Sequence, residues 1–168
     1  MSYRLDFLTV GMIAATALDA ATTYYFISRG VGQELNPVLG PLTERSLIWI
    51  PIYFAIPTLL VPAMPDVCRQ TFAVPHLIGG LVFGINNLGV ILSGQAPIID
   101  AIGYYNLEAA VLLIGVLTFA YQVKTRSKDR ASAIKSTRTV FTWIVVIAFL
   151  EGVFYLAGRE EVGNGQLV

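Results

Sequence analysis

Three carboxylates stand inside apolar runs of this sequence: Asp19 in "ALDAATTYYF", Glu108 in "YYNLEAAVLL" and Glu151 in "IAFLEGVFYL". An ionisable group in a membrane span costs about 2.5–3.5 kcal/mol on insertion scales, so each is a functional candidate by default. Residues three and four apart share a helix face, which gathers Thr16, Asp19, Thr22 and Thr23 into one polar stripe with Gly11 and Ala15 continuing it. In a neighbouring run, Gly80 and Gly84 at GxxxG spacing lead to Asn86 and Asn87. Carboxylates beside hydroxyls and amides can hold a proton, bind a cation or small solute, or act as an acid and base pair. The same residues can also form a hydrogen-bonded knot that fixes helix register. The residue types alone leave these readings open.

The elements that position these groups follow from composition. Of 168 residues 55% are hydrophobic and 13% charged, against about 25% charged in ordinary soluble domains. With mean hydropathy +0.68, the chain reads as an all-α, polytopic membrane helix bundle forming a single domain, 1–168. A spanning helix needs about 20 mostly apolar residues. Five segments meet this to within a few residues: 5–27, 46–64, 76–93, 101–121 and 139–157. The second carries Pro51, Pro57 and Pro62, which neighbouring helices can accommodate as kinks. The first also has features of a signal peptide, but its apolar run outlasts the usual 7–15 residues of such a segment, so it is read as a span.

Orientation follows from the basic residues. Segment 124–138, "KTRSKDRASAIKSTR", holds six cations and one aspartate, which makes it a cytoplasmic loop. Counting sides from there puts Arg4 and Arg69 inside and Arg29, Arg45 and Arg159 outside, an eight-to-three bias that predicts an N-in, C-out topology. Beyond setting topology, that loop suits anionic lipid or a cytoplasmic partner. In this frame Asp19, Glu108 and Glu151 each lie about three residues outward of a span centre, and the two asparagines about two. The result is a polar layer roughly 4–5 Å beyond the midplane. No Lys or Arg falls within these spans, so the acids must be neutralised by protons, neutral donors, a cation or another chain.

Above Asp19 the segment "SRGVGQELNPVLG" ends the first helix at Gly30 and Gly32. It carries Glu34, Asn36 and Pro37 at the outer interface, where Glu34 suits a cap and Asn36 an Asx-turn before Pro37. The combination "LDAATTYYF" then "ELNP" resembles the DUF5658 family of small archaeal and bacterial multi-pass proteins, which share a D-x-x-[ST]T helix and an E-x-NP loop. The likeness covers about 25 residues and is carried by Leu18, Asp19, Thr22, Thr23, Glu34, Asn36 and Pro37. It implies an integral, multi-pass protein of a prokaryotic cell membrane and supplies no reaction.

Other chemistries find little support. His76, the sole histidine, opens the third predicted span at its inner end, far from the acids, and reads as structural. Cys68, the sole cysteine, cannot form an intramolecular disulfide and reads as a structural or incidental thiol. Nucleophile elbows, HExxH, phosphate loops and CxxC are absent from the sequence. No cofactor is implied, and zero formal net charge points away from nucleic acid. The partners expected are the bilayer and either further copies of the chain or a larger membrane complex. Transport of a proton, cation or small solute, an accessory role in assembly, and an intramembrane enzyme acting on a lipid or isoprenoid are the functions to separate.

Overall fold

The computed structural model of the chain describes residues 5–127 and 130–159, and among these every regular element is a helix. They are α1 (Phe7–Ser28), α2 (Gly40–Thr43), α3 (Trp49–Ala63), α4 (Asp66–Ser93), α5 (Pro97–Ile102), α6 (Tyr104–Arg126) and α7 (Arg130–Arg159). Four of them, α1, α4, α6 and α7, are long and apolar enough to cross a membrane. The second predicted span, 46–64, is represented by α3, whose 15 residues rise only about 22 Å. Pro57 and Pro62 lie inside it. It ends where Met64 turns extended ahead of Pro65, the conformation that a following proline favours.

The packing of α1 on α4 organises the bundle. A Cβ added to Gly80 would stand 2.8 Å from the backbone carbon of Ala15, and one on Gly84 would stand 2.9 Å from Cγ of Leu18. The two glycines therefore let the helix backbones approach to a separation no other residue permits. Gly11 meets Leu77 one step further along the same contact. Contact positions rise together on both helices, so α1 and α4 run parallel, and α3 is the helix that carries the chain back between them. On another face of α4, Gly79 meets Val111 and Pro75 meets Gly115, a falling register that makes α6 antiparallel. Thus α4 is the shared wall between α1 and α6.

Several boundaries differ from the sequence expectation. Helix α4 starts ten residues before His76, because Asp66 and Arg69 can occupy its first turn as an ion pair. His76 is consequently nearly three turns inside the helix, where its Nδ1 lies 2.8 Å from the Phe72 carbonyl oxygen. Arg69 is helical and buried rather than part of an inner loop. The expectation that no cation lies in a spanning helix fails for this residue, and for Lys124, Arg126, Lys135 and Arg138 near the ends of the long helices α6 and α7. Gly103 separates α5 from α6, so the helix of the fourth predicted span begins at Tyr104 rather than residue 101. Much of the expected 124–138 loop is helical, since α6 runs to Arg126 and α7 starts at Arg130. Arg4, Lys128 and the tail after Arg159 lie outside the described residues.

At the end where α1 and α4 begin, Asp6 caps α1 by accepting from the Thr9 amide (2.8 Å) and the Thr9 hydroxyl (2.7 Å). Arg69 joins this cap at 3.2 Å and pairs with Asp66 at 2.8 Å. Met12, Val61, Met64, Cys68, Ala73 and Val140 form the adjoining core, which gives Cys68 its packing role.

Candidate functional site

Asp19, Thr22, Thr23 and Asn87 meet at the α1–α4 contact, all less than a tenth exposed. The Asn87 amide nitrogen lies 3.1 Å from Asp19 Oδ1, 2.9 Å from the Thr23 hydroxyl and 3.4 Å from the Thr22 hydroxyl. Thr23 also donates to Asp19 Oδ1 at 3.4 Å. Thr22 instead returns its proton to the backbone of its own helix, to Leu18 O at 2.9 Å and Asp19 O at 3.1 Å, a bond any helical threonine can make. The helical phase that groups Asp19, Thr22 and Thr23 on α1 is legible in the chain. The partner on α4 is fixed by the glycines that bring the two helices together.

Asn86 does not join this group. One position further round α4, its Oδ1 accepts from the amides of Ile98 and Ile99, both at 3.1 Å, and thereby caps α5. Adjacent helical residues point about 100° apart, so the two asparagines serve different neighbours.

Across α4, Glu108 accepts from the Tyr104 hydroxyl at 2.6 Å. Tyr104 stacks on Phe83, centroids 5.7 Å apart. The register through α4 places Tyr104 to Val111 against Gly79 to Phe83, and Asp19 against Gly84. The two acids therefore stand level to within about one turn, on faces of the same helix about 100° apart.

The loop after α1 folds over them. Gly30, at φ +67°, takes a conformation that a side chain would strain, and it ends α1. Glu34 Oε1 then accepts from the Asn36 amide at 2.8 Å. Asn36 Oδ1 accepts from Val38 at 2.8 Å and Leu39 at 3.2 Å, an Asx-turn across Pro37. The Asn36 amide group also reaches the Tyr53 hydroxyl of α3 at 3.3 Å. Glu34 is half-buried, and removal from water raises its carboxyl above the usual range; Glu108 adds to the rise, while the amides of Asn36 and Leu35 oppose it.

Helix α7 closes the side. Phe154 packs edge-on against Trp49 (5.9 Å) and Tyr53 (6.1 Å) of α3. Glu151, one turn away on the Phe154 face, is brought within electrostatic range of Tyr53 and Glu108. Asp19 is within range of Glu34, and Glu34 of Glu108, so the four acids form a chain in which each feels the next. Tyr53 and Tyr104 are the members that sequence reasoning did not place among the site residues. Glu108 lies four residues beyond Tyr104 on the same helix face and is legible from spacing, whereas the Asn36 partner of Tyr53 became readable only once the loop was placed. Among the described residues no three His, Cys, Asp or Glu side chains gather tightly enough to hold a metal ion. The acids are instead spaced by hydroxyls, amides and rings.

No protein-family model matches the chain, and no curated protein or solved structure shows significant similarity to it.

Proposed function

We propose that the chain is a five-span, N-in and C-out protein of a prokaryotic cell membrane that binds a proton or a small cationic solute at the Asp19, Glu34, Glu108 and Glu151 chain. The observation that carries this reading is the set of donors around the acids. Asp19, Glu34 and Glu108 are met by Thr23, Asn87, the Asn36 amide and Tyr104, all neutral. Like charges in mutual range resist simultaneous ionisation, and a proton or cation relieves that repulsion. Parallel packing of α1 and α4 supports five crossings, since the chain must return between them and α3 is the helix that does so. Its short length suits a locally thinned bilayer or a site open at one end. The DUF5658 resemblance of Asp19 to Pro37 is compatible with this reading and remains part of the proposal.

The test is reconstitution in vesicles with a pH-sensitive dye and a panel of small ammonium solutes. Wild-type protein should couple proton or solute movement to an imposed gradient, and Asp19→Asn and Glu108→Gln should each abolish the signal. Equal signals from wild type and both variants would sink the idea.

A second reading, assembly into homo-oligomers or a larger complex, rests on α7. Glu151 is exposed within this long apolar helix, and a Cβ on the adjacent Gly152 would meet open space. A carboxylate facing lipid is costly, and a partner helix would cover it. Cysteine cross-linking at position 152 would trap such a contact, and an exclusively monomeric product would argue against it.

A further inference from the structure

The opposite end of the bundle carries a feature that the acidic chain does not use. Helix α6 exposes Leu113, Leu117 and Tyr121 along one stripe, and Lys124 ends that stripe. Positions 113, 117, 121 and 124 lie on one helical face. Helix α7 also carries a cation on an exposed apolar face, with Ile134, Arg138, Phe141 and Val145 at spacings of four, three and four, all exposed. Phe141 and Tyr121 are about two-thirds exposed, 65% and 63%. Lys135, one turn before Arg138, adds a further exposed cation. Because α7 begins at Arg130, its basic first turns are a rigid continuation of the apolar helix rather than a loose loop. At 1.5 Å per residue, Lys124, Lys135 and Arg138 stand within about 5–12 Å of the α6–α7 corner along the two helix axes.

We propose that the α6–α7 corner binds the headgroup of an anionic phospholipid, held by Lys124, Lys135 and Arg138, with its acyl chains lying along the exposed stripes above. Charge complementarity selects the headgroup, and the placing of Lys124 and Arg138 on the same faces as the exposed apolar side chains selects a lipid over a soluble anion. Tyr121, with an apolar ring and a polar hydroxyl, suits the boundary between the two. A plain topogenic loop needs cations of no particular phase. Here Lys124 and Arg138 lie in phase with the exposed apolar faces, and Lys135 stands about a quarter-turn from its stripe.

Native mass spectrometry of the full chain, released from micelles carrying phosphatidylglycerol and phosphatidylcholine of matched acyl chains, tests the proposal. Wild-type protein should retain phosphatidylglycerol preferentially, and the preference should weaken as ionic strength rises. Each of Lys124→Gln, Lys135→Gln and Arg138→Gln should lower it about fivefold, and Arg138→Lys should preserve it. Phe141→Ala should reduce retention of both lipids alike. Millimolar inorganic phosphate should leave the bound lipid in place. Equal retention of the two lipids by wild type would overturn the proposal without recourse to any variant. Displacement by phosphate would overturn it in favour of a soluble-anion site, and an unchanged preference in folded, monodisperse glutamine variants would overturn the assignment to these residues.

Discussion

The two ends of the α1–α4 contact handle buried charge in opposite ways. At one end, Arg69 is buried between Asp6 and Asp66, and opposite charges meet directly at 2.8 and 3.2 Å. Towards the other end, Asp19 lies on the same pair of helices but meets an amide and a hydroxyl. Both arrangements fasten α1 to α4. A carboxylate paired with guanidinium has its charge cancelled and little reason to exchange protons near neutrality. One held by neutral donors keeps that option, and this contrast separates a clamp from a candidate site.

The largest effect should come from the clamp. Arg69→Met should cost about 1–3 kcal/mol of stability, at the low end for a buried pair because Asp6 and Asp66 can rehydrate. It should leave any proton or solute signal intact. Thermal unfolding in detergent beside the vesicle assay reads both quantities, and a lost signal in a stable variant would break the distinction between the two ends. Next in size is Asn87→Leu, which removes the donor shared by Asp19 and Thr23 and should cost about 1 kcal/mol, the scale of hydrogen bonds between membrane helices. Asp19→Asn keeps the shape and most of the bonding, so its stability should stay within about 0.5 kcal/mol while function is lost. A cost as large as that of Asn87→Leu would return Asp19 to a purely structural role.

The pH dependence should differ in sign between the ends. Hydrogen bonds from the Thr9 side chain and backbone, with Arg69 beside them, hold Asp6 below the usual carboxylate range. Its contribution is therefore present above the unfolded value near 3.9 and lost as pH falls through the lower folded value. Glu34 is displaced the other way. Its folded form holds the proton more tightly, so its contribution is fullest below about pH 4.3 and fades as pH rises through the folded value. Asp6→Asn should flatten the acid-side loss of stability, and Glu34→Gln should remove the gain on acidification from pH 7. Stability measured from pH 3 to 8 checks both, and parallel slopes for the two variants would contradict the assignment.

Much of this was legible in the chain because apolar runs and helical phase are local properties. The stripe of Thr16, Asp19, Thr22 and Thr23, the Asx-turn at Asn36 and the GxxxG pair each depend on residues within a turn or two. What was misread depended on partners far away in sequence. Asn86 looked equivalent to Asn87 until α5 folded back to take its carbonyl. Arg69 looked like a loop residue until Asp6, 63 positions earlier, met it in the first turn of α4.

By itself the sequence determined an all-helical bundle suited to a membrane, the face on which Asp19 lies and the concentration of cations between α6 and α7. These follow from composition and from 3.6 residues per turn, which need no partner to be true. Only the tertiary structure decided that Gly80 and Gly84 bring α1 alongside α4, that Asn87 answers Asp19, and that Glu34 and Tyr53 close over the acids. In lipid, apolar attraction between helices is weak, so close backbone approach and polar contacts choose the neighbours. Those contacts link residues about 65 positions apart, a relation that helical periodicity does not encode.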